Sequence, residues 1–167
     1  AALWMQYVTA WGAIVEFGKV QPGDNVLVTA ASSSAALGAI QIAKGEGARV
    51  IAATRGAEKR EFLLEAGADD VVVTNDDDLA QSVLKLTSGK GFDLVYDPVG
   101  GPYFEAFADA AAPMAKIVNY GVLELGPAKF DVLTMLAKRL SIKFHSIFDT
   151  ARFAESREAA KVYVYDR

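Results

Sequence analysis

The sequence predicts an α/β domain in which six short parallel strands form one sheet covered by helices on both faces. Three observations carry this expectation. Six runs rich in Val, Ile and Ala recur along the chain, apolar on both faces as strands buried on two sides must be. Between them lie longer segments with apolar residues three and four apart, the spacing of a helix with one buried face. The length, 167 residues with 52% hydrophobic and 23% charged, suits one core-forming domain, since domains typically run to ~100–200 residues.

The elements follow in order. Residues 3–17 read as a helix broken at Gly18, and the turn Gln21-Pro22-Gly23-Asp24 announces a first strand at 25–30. A helix from about Ser34 to Glu46 leads to a strand at 48–54, and a helix at 58–66 leads to one at 70–74. A helix at 78–87 precedes the strand at 92–97; helices at 103–112 and 131–138 precede strands at 115–120 and 140–147. Residues 152–165 resemble a final helix. Strand, helix and strand repeated in this way produce right-handed crossovers, and two such halves make the doubly wound Rossmann fold. Its ligand lies at the carboxyl ends of the strands, so function is expected just after Ala30, Thr54, Asp97 and Tyr120.

Composition excludes several chemistries. Without cysteine the chain offers no disulfide, thiolate ligand or thiol nucleophile, and a single histidine cannot build a histidine-rich metal cluster. A net charge of −4 argues against a nucleic-acid surface, and no apolar run is long enough to span a bilayer. The opening residues lack a basic start followed by an apolar block, so the cytoplasm is the expected compartment, and without an initial Met the true N-terminus is expected elsewhere.

The loop after the first strand reads Thr29-Ala-Ala-Ser-Ser-Ser-Ala-Ala36. Small side chains at Ala31, Ser32, Ser33, Ser34, Ala35 and Ala36 permit close approach of a pyrophosphate to backbone amides at a helix N-terminus, although Ala31, Ser33 and Ala36 occupy all three positions of the G-x-G-x-x-G frame. The three serines read equally as a plain helix cap. At the second strand end stands Thr54-Arg55, with Lys59 and Arg60 one turn later and no carboxylate for a ribose diol. A guanidinium there suits a 2′-phosphate, which favours NADP over NAD, while Lys59 and Arg60 also read as a solvated helix face.

Several separated stretches together resemble the medium-chain dehydrogenase/reductase superfamily, with its quinone-oxidoreductase-like and zinc-type alcohol dehydrogenase-like members most similar. They are Val8-Thr9-Ala10-Trp11, Val20-Gln-Pro-Gly-Asp24, Val26 to Ser34, Ile40-Gln-Ile-Ala-Lys44, Ala66-Gly-Ala-Asp69 and Asp97-Pro-Val-Gly-Gly-Pro102. The resemblance implies that 1–167 is a single dinucleotide-binding domain, with a linking helix at 1–18, a Rossmann core at 24–148 and the start of a further helix at 151–167. It implies a longer enzyme whose N-terminal catalytic domain carries any zinc ligands and much of the substrate pocket. By position it assigns residues 31–36 to the pyrophosphate, Thr54, Arg55 and Lys59 to the adenosine end, and Pro98, Val99, Gly100, Asn119, Tyr120 and Gly121 to the stretches flanking the nicotinamide. Thr9 and Phe148 are assigned near that ring. The parent is then expected to transfer hydride between NADP(H) and a small carbonyl, quinone or alcohol.

Departures are visible too. A tyrosine that some members place after the third strand falls at Thr74, and the usual Pro-Gly-Gly before the fifth strand is Pro113-Met114-Ala115, without glycine's freedom to take positive φ.

Other chemistry is weaker. His145, Ser146 and Asp149 are sequence neighbours without a nucleophile elbow, so a structural histidine is expected. Asp76-Asp-Asp78 reads as a helix start, and Asp97 either touches the nicotinamide side or fixes a turn. No tyrosine is followed four residues on by lysine, which disfavours a short-chain dehydrogenase. Two rivals stay open: a non-catalytic interaction module with a degenerate loop, and a methyltransferase, which would want an acid at the second strand end. The strand at 140–147 is an expected edge that invites pairing with a second copy, giving a homodimer.

Overall fold

A computed structural model describes residues 2–165. Helix α1 (Ala2–Trp11) passes directly into a π-helical stretch, Gly12–Phe17, and then come β1 (Asn25–Val28), α2 (Ser34–Gly45) and β2 (Arg49–Thr54). A 3₁₀ turn at Ala57–Lys59 leads into α3 (Arg60–Glu65), followed by β3 (Asp70–Val73), α4 (Leu79–Leu86), β4 (Phe92–Asp97) and α5 (Tyr103–Ala110). The chain continues through β5 (Ala111–Asn119), α6 (Val132–Lys138), β6 (Ser141–Phe144), α7 (Ile147–Ala151) and α8 (Ala154–Tyr165).

The six strands form one parallel sheet in the order β3-β2-β1-β4-β5-β6. The order of winding reverses between β1 and β4, which opens a crevice at their carboxyl ends. Alternation along each strand supplies both faces of the core. Val26, Val28, Val50, Ala52, Leu94 and Tyr96 pack with Trp11, Ile14, Ile40 and Ala43 of α1, its π-helical extension and α2. Leu27, Ile51, Val95 and Ile117 pack with Val83, Phe104 and Phe107 of α4 and α5. Burial of both faces by helices is what selects parallel pairing here.

Four elements differ from the sequence expectation. The first helix widens to π geometry after Trp11 because the Thr9 carbonyl faces His145 Nε2 at 3.0 Å, and Gly12 leaves room beneath for His145 and Thr150. The fifth strand begins at Ala111 rather than 115, running through a register shift opposite Phe92 and Leu94 that takes up Pro113 and Met114. Proline has no amide to give to a ladder, so it sits where pairing is interrupted. The sixth strand stops at Phe144 because Ser146 caps a new helix: its hydroxyl accepts from the Phe148 amide, and Asp149 accepts from the Ser146 amide in return. The terminal helix consequently comes in two pieces, α7 and α8.

Met114 takes φ +66 with a side chain 63% exposed. A left-handed conformation costs a β-carbon about 1–2 kcal/mol, and little burial would be lost by removing this side chain. Met114→Gly is expected to raise stability by about 1 kcal/mol, read as a higher urea midpoint at unchanged slope.

Candidate functional site

The carboxyl end of the sheet is organised by Asp97, whose side chain is fully buried at the end of β4. Its Oδ1 accepts from the Thr29 hydroxyl and from the Val99 amide at 3.2 Å. Its Oδ2 accepts from the Gly100 amide at 2.8 Å and from Asn119 Nδ2 at 3.0 Å. One carboxylate thus joins the ends of β1, β4 and β5. Burial pushes its pKa up, against the lowering effect of the Thr29, Gly100, Asn119 and Val99 donors. Of the two sequence readings for Asp97, the turn-fixing one is what the structure displays.

The connections continue outward. The Tyr120 amide donates to the Asp97 carbonyl, Leu123 to Pro98 and Glu124 to Val99, folding the segment after β5 onto the one after β4. Gly100 holds φ +83, and a β-carbon at Gly121 would stand 3.2 Å from Pro98. The His145 amide donates to the Asn119 carbonyl at 2.8 Å, carrying the network to β6 and, through the His145 ring, to α1.

The loop between β1 and α2 turns on Ala30, which takes φ +45, one residue ahead of the first position of the glycine frame. Ala31 and Ala36 are wholly buried beneath the loop. Ser33 is the N-cap, with its Oγ accepting from the Ala36 amide at 3.3 Å. The capping alternative is therefore realised by Ser33. The amides of Ser34 and Ala35, in the first turn of α2, have no intrahelical acceptor and remain to meet an anion.

Two cavities flank this loop. A crevice of about 280 Å³ is lined by Ala30, Ser32, Ala53, Thr54, Arg55, Lys59, Thr74, Val99, Tyr103, Leu123 and Glu124. Among the described residues, neither Arg55 nor Lys59 enters an ion pair. Arg60 turns away and donates to the Val71 carbonyl at 2.9 Å. The second cavity, about 480 Å³, is lined by Met5, Gln6, Thr9, Ser34, Ala35, Tyr120, His145, Ser146 and Ile147. Tyr120 stacks on Tyr96 with ring centroids 3.9 Å apart, and burial pushes its hydroxyl up to about 12.

Sequence reasoning singled out Ser32, Thr54, Arg55, Lys59 and Val99 in the first cavity and Thr9, Ser34, Ala35 and Tyr120 in the second. Pro98, Gly100 and Asn119 belong to the hydrogen-bonded turns beside them, and Gly121 packs against Pro98. Phe148 lines neither cavity: it opens α7 with its amide held by Ser146, and its side chain is 71% exposed. Tyr103, Leu123 and Glu124 were missed, since they come from other loops. The Glu58 carboxylate folds back over Gly56, although Glu58 lines neither cavity.

The family model for zinc-binding dehydrogenases matches residues 36–162. The chain belongs to this family. Within it the chain is a cofactor-binding domain of the medium-chain dehydrogenase/reductase superfamily. It is 30% identical over 141 residues to a phenolphthiocerol/phthiocerol polyketide synthase of Mycobacterium tuberculosis, covering 84% of this chain and 6% of that protein. A Pseudomonas syringae quinone oxidoreductase superposes with a TM-score of 0.89 at 26% identity, over 99% of this chain and 51% of that one. The mycobacterial protein Rv1454c complexed with NADPH superposes with a TM-score of 0.85 at 29% identity, over 96% and 50%. The chain thus spans about half of each of these solved structures and a small part of the synthase.

Zinc, which the family's description implies, finds no ligand set in this zinc-binding dehydrogenase domain. There is no cysteine, the one histidine has Nε2 at the Thr9 carbonyl, and among the described residues no three His, Asp or Glu converge. No described helix is long and apolar enough to cross a membrane.

His145 is 6% exposed, and burial lowers its pKa against the favourable charges of Asp149 and Glu16, with Lys143 adding to the lowering. The folded state therefore resists protonating it. Folding loses stability as pH falls below the unfolded value of about 6.5, and the loss is complete once pH passes below the folded value. His145→Gln retains a donor for the Thr9 carbonyl, and urea titrations are expected to show a smaller loss between pH 7 and 5 in this variant than in the unsubstituted chain. Equal losses would refute the assignment.

Proposed function

We propose that this domain binds NADP(H) and that its parent transfers hydride between the nicotinamide and a small carbonyl, quinone or alcohol. The observation that carries this reading is the crevice at the tip of β2 lined by Arg55 and Lys59, which among the described residues enter no ion pair, and by Ser32 of the loop that leads into α2. NADPH in the neighbouring Rv1454c structure supports it.

When bound, the cofactor supplies the hydride. This chain's residues bind and orient it. The Ser34 and Ala35 amides and the Ser32 hydroxyl receive the pyrophosphate, and Arg55 and Lys59 take the 2′-phosphate, where a planar guanidinium can make two parallel bonds. Thr9 and Tyr120 flank the nicotinamide end, while Asp97 and Asn119 hold the turns beneath it. The second cavity is the end at which a substrate meets the cofactor.

Titration of the chain by calorimetry is expected to show NADPH binding more tightly than NADH and no binding of S-adenosylmethionine. Arg55→Glu should weaken NADPH by roughly tenfold or more, the scale of a lost charge-assisted bond, and change NADH far less. An unaltered NADPH to NADH ratio would remove Arg55 from the site; binding of no dinucleotide would remove the function.

A second copy of this chain is the partner we propose for the outer edge of β6. That edge lies at the end of the sheet, and Phe144 on it is 71% exposed, while Leu133 and Leu136 of the preceding α6 are 79% and 72% exposed. Sedimentation is expected to give a dimer that Phe144→Asp converts to monomer. A monomeric unsubstituted chain at high concentration would contradict this.

A further inference from the structure

We infer that Tyr103 is the platform on which the adenine of the dinucleotide rests, an inference that builds on the NADP(H) reading. The crevice has two chemically distinct parts: Arg55 and Lys59 on one hand, and the apolar Val99, Leu123 and Tyr103 on the other. A 2′-phosphoadenosine has the same division, a dianionic phosphate and a flat purine with polar edges. Among the lining residues Tyr103 is the aromatic one, and a purine gains from stacking on such a ring whatever its edge contacts.

The ring is held before any ligand arrives. Its hydroxyl donates to Thr74 Oγ1 at 3.2 Å, and Thr74 Oγ1 in turn donates to the Thr54 carbonyl at 3.4 Å. The Thr74 amide also reaches the Thr54 carbonyl, at 2.8 Å. Behind it Phe107 meets the ring edge-on, with centroids 5.9 Å apart and planes at 75°. Tyr103, at the start of α5, is thereby tied through the end of β3 to the last residue of β2, immediately before Arg55. One relay sets the spacing between a surface for the base and a cation for the phosphate. A ring fixed this way loses little conformational entropy on stacking.

The test uses 2′,5′-ADP for the adenosine end and reduced nicotinamide mononucleotide for the other end, each titrated into the chain and its variants. Tyr103→Ala is expected to weaken 2′,5′-ADP by roughly tenfold and leave the mononucleotide unchanged. Tyr103→Phe, which keeps the ring and removes one neutral hydrogen bond, should stay within about threefold of the original, and Thr74→Val, which removes both bonds of the Thr74 hydroxyl, should fall between it and Tyr103→Ala. An unchanged 2′,5′-ADP affinity in Tyr103→Ala overturns the inference, as does an equal weakening of both probes. If the unsubstituted chain binds no 2′,5′-ADP, the NADP(H) reading itself fails; if it binds and the variants are indifferent, only the role of Tyr103 fails.

Discussion

The carboxylate of Asp97 is the contact on which the ligand end of this domain depends. A buried charge is costly unless its lone pairs are met, and here donors arrive from the end of β1, from its own turn and from β5. The winding of the sheet reverses between β1 and β4, and past their ends only single main-chain bonds, such as the Thr29 amide to the Tyr96 carbonyl, hold the departing loops. The Asp97 side chain adds four more bonds there, and both flanking cavities are shaped by the segments it anchors. Removing the carboxylate would strand four buried donors at once, a larger effect than losing any one bond.

The loop between β1 and α2 illustrates how a glycine-poor sequence reaches a conformation that glycine usually supplies. Ala30 accepts a left-handed backbone at φ +45, because the adjoining hydrogen bonds, Thr29 to the Tyr96 carbonyl and Ala31 to the Ala53 carbonyl, hold the chain on both sides. Only a methyl group then stands at the turn. Ser33 uses its hydroxyl on its own helix, which leaves the other first-turn amides of α2 facing outward. The cap at Ser33 thus engages the Ala36 amide and not those of Ser34 and Ala35.

Part of the site was legible because it is local. Ser32, Thr54, Arg55 and Lys59 lie within a few residues of strand ends, and strand ends can be read from hydrophobic runs. Asp97 was legible as a residue of interest, but its role was not, since its donors Thr29 and Asn119 are remote in sequence. Tyr103, Leu123 and Glu124 carry no local signal: each follows an ordinary turn and becomes a lining residue only when α5 and the segment after β5 fold over the crevice.

By itself the sequence determined the α/β class, the six strands with their intervening helices and the order of the turns, because each follows from the alternation of polar and apolar residues over a short span. Tertiary structure alone decided that α1 would widen around His145, that β5 would start early across a bulge, that Phe148 would face outward, and which side chains would share a cavity with Arg55. Periodicity is a property of neighbours along the chain. A cavity wall is assembled from loops that meet only after the sheet has closed, so its membership is set by packing between residues that the sequence keeps far apart.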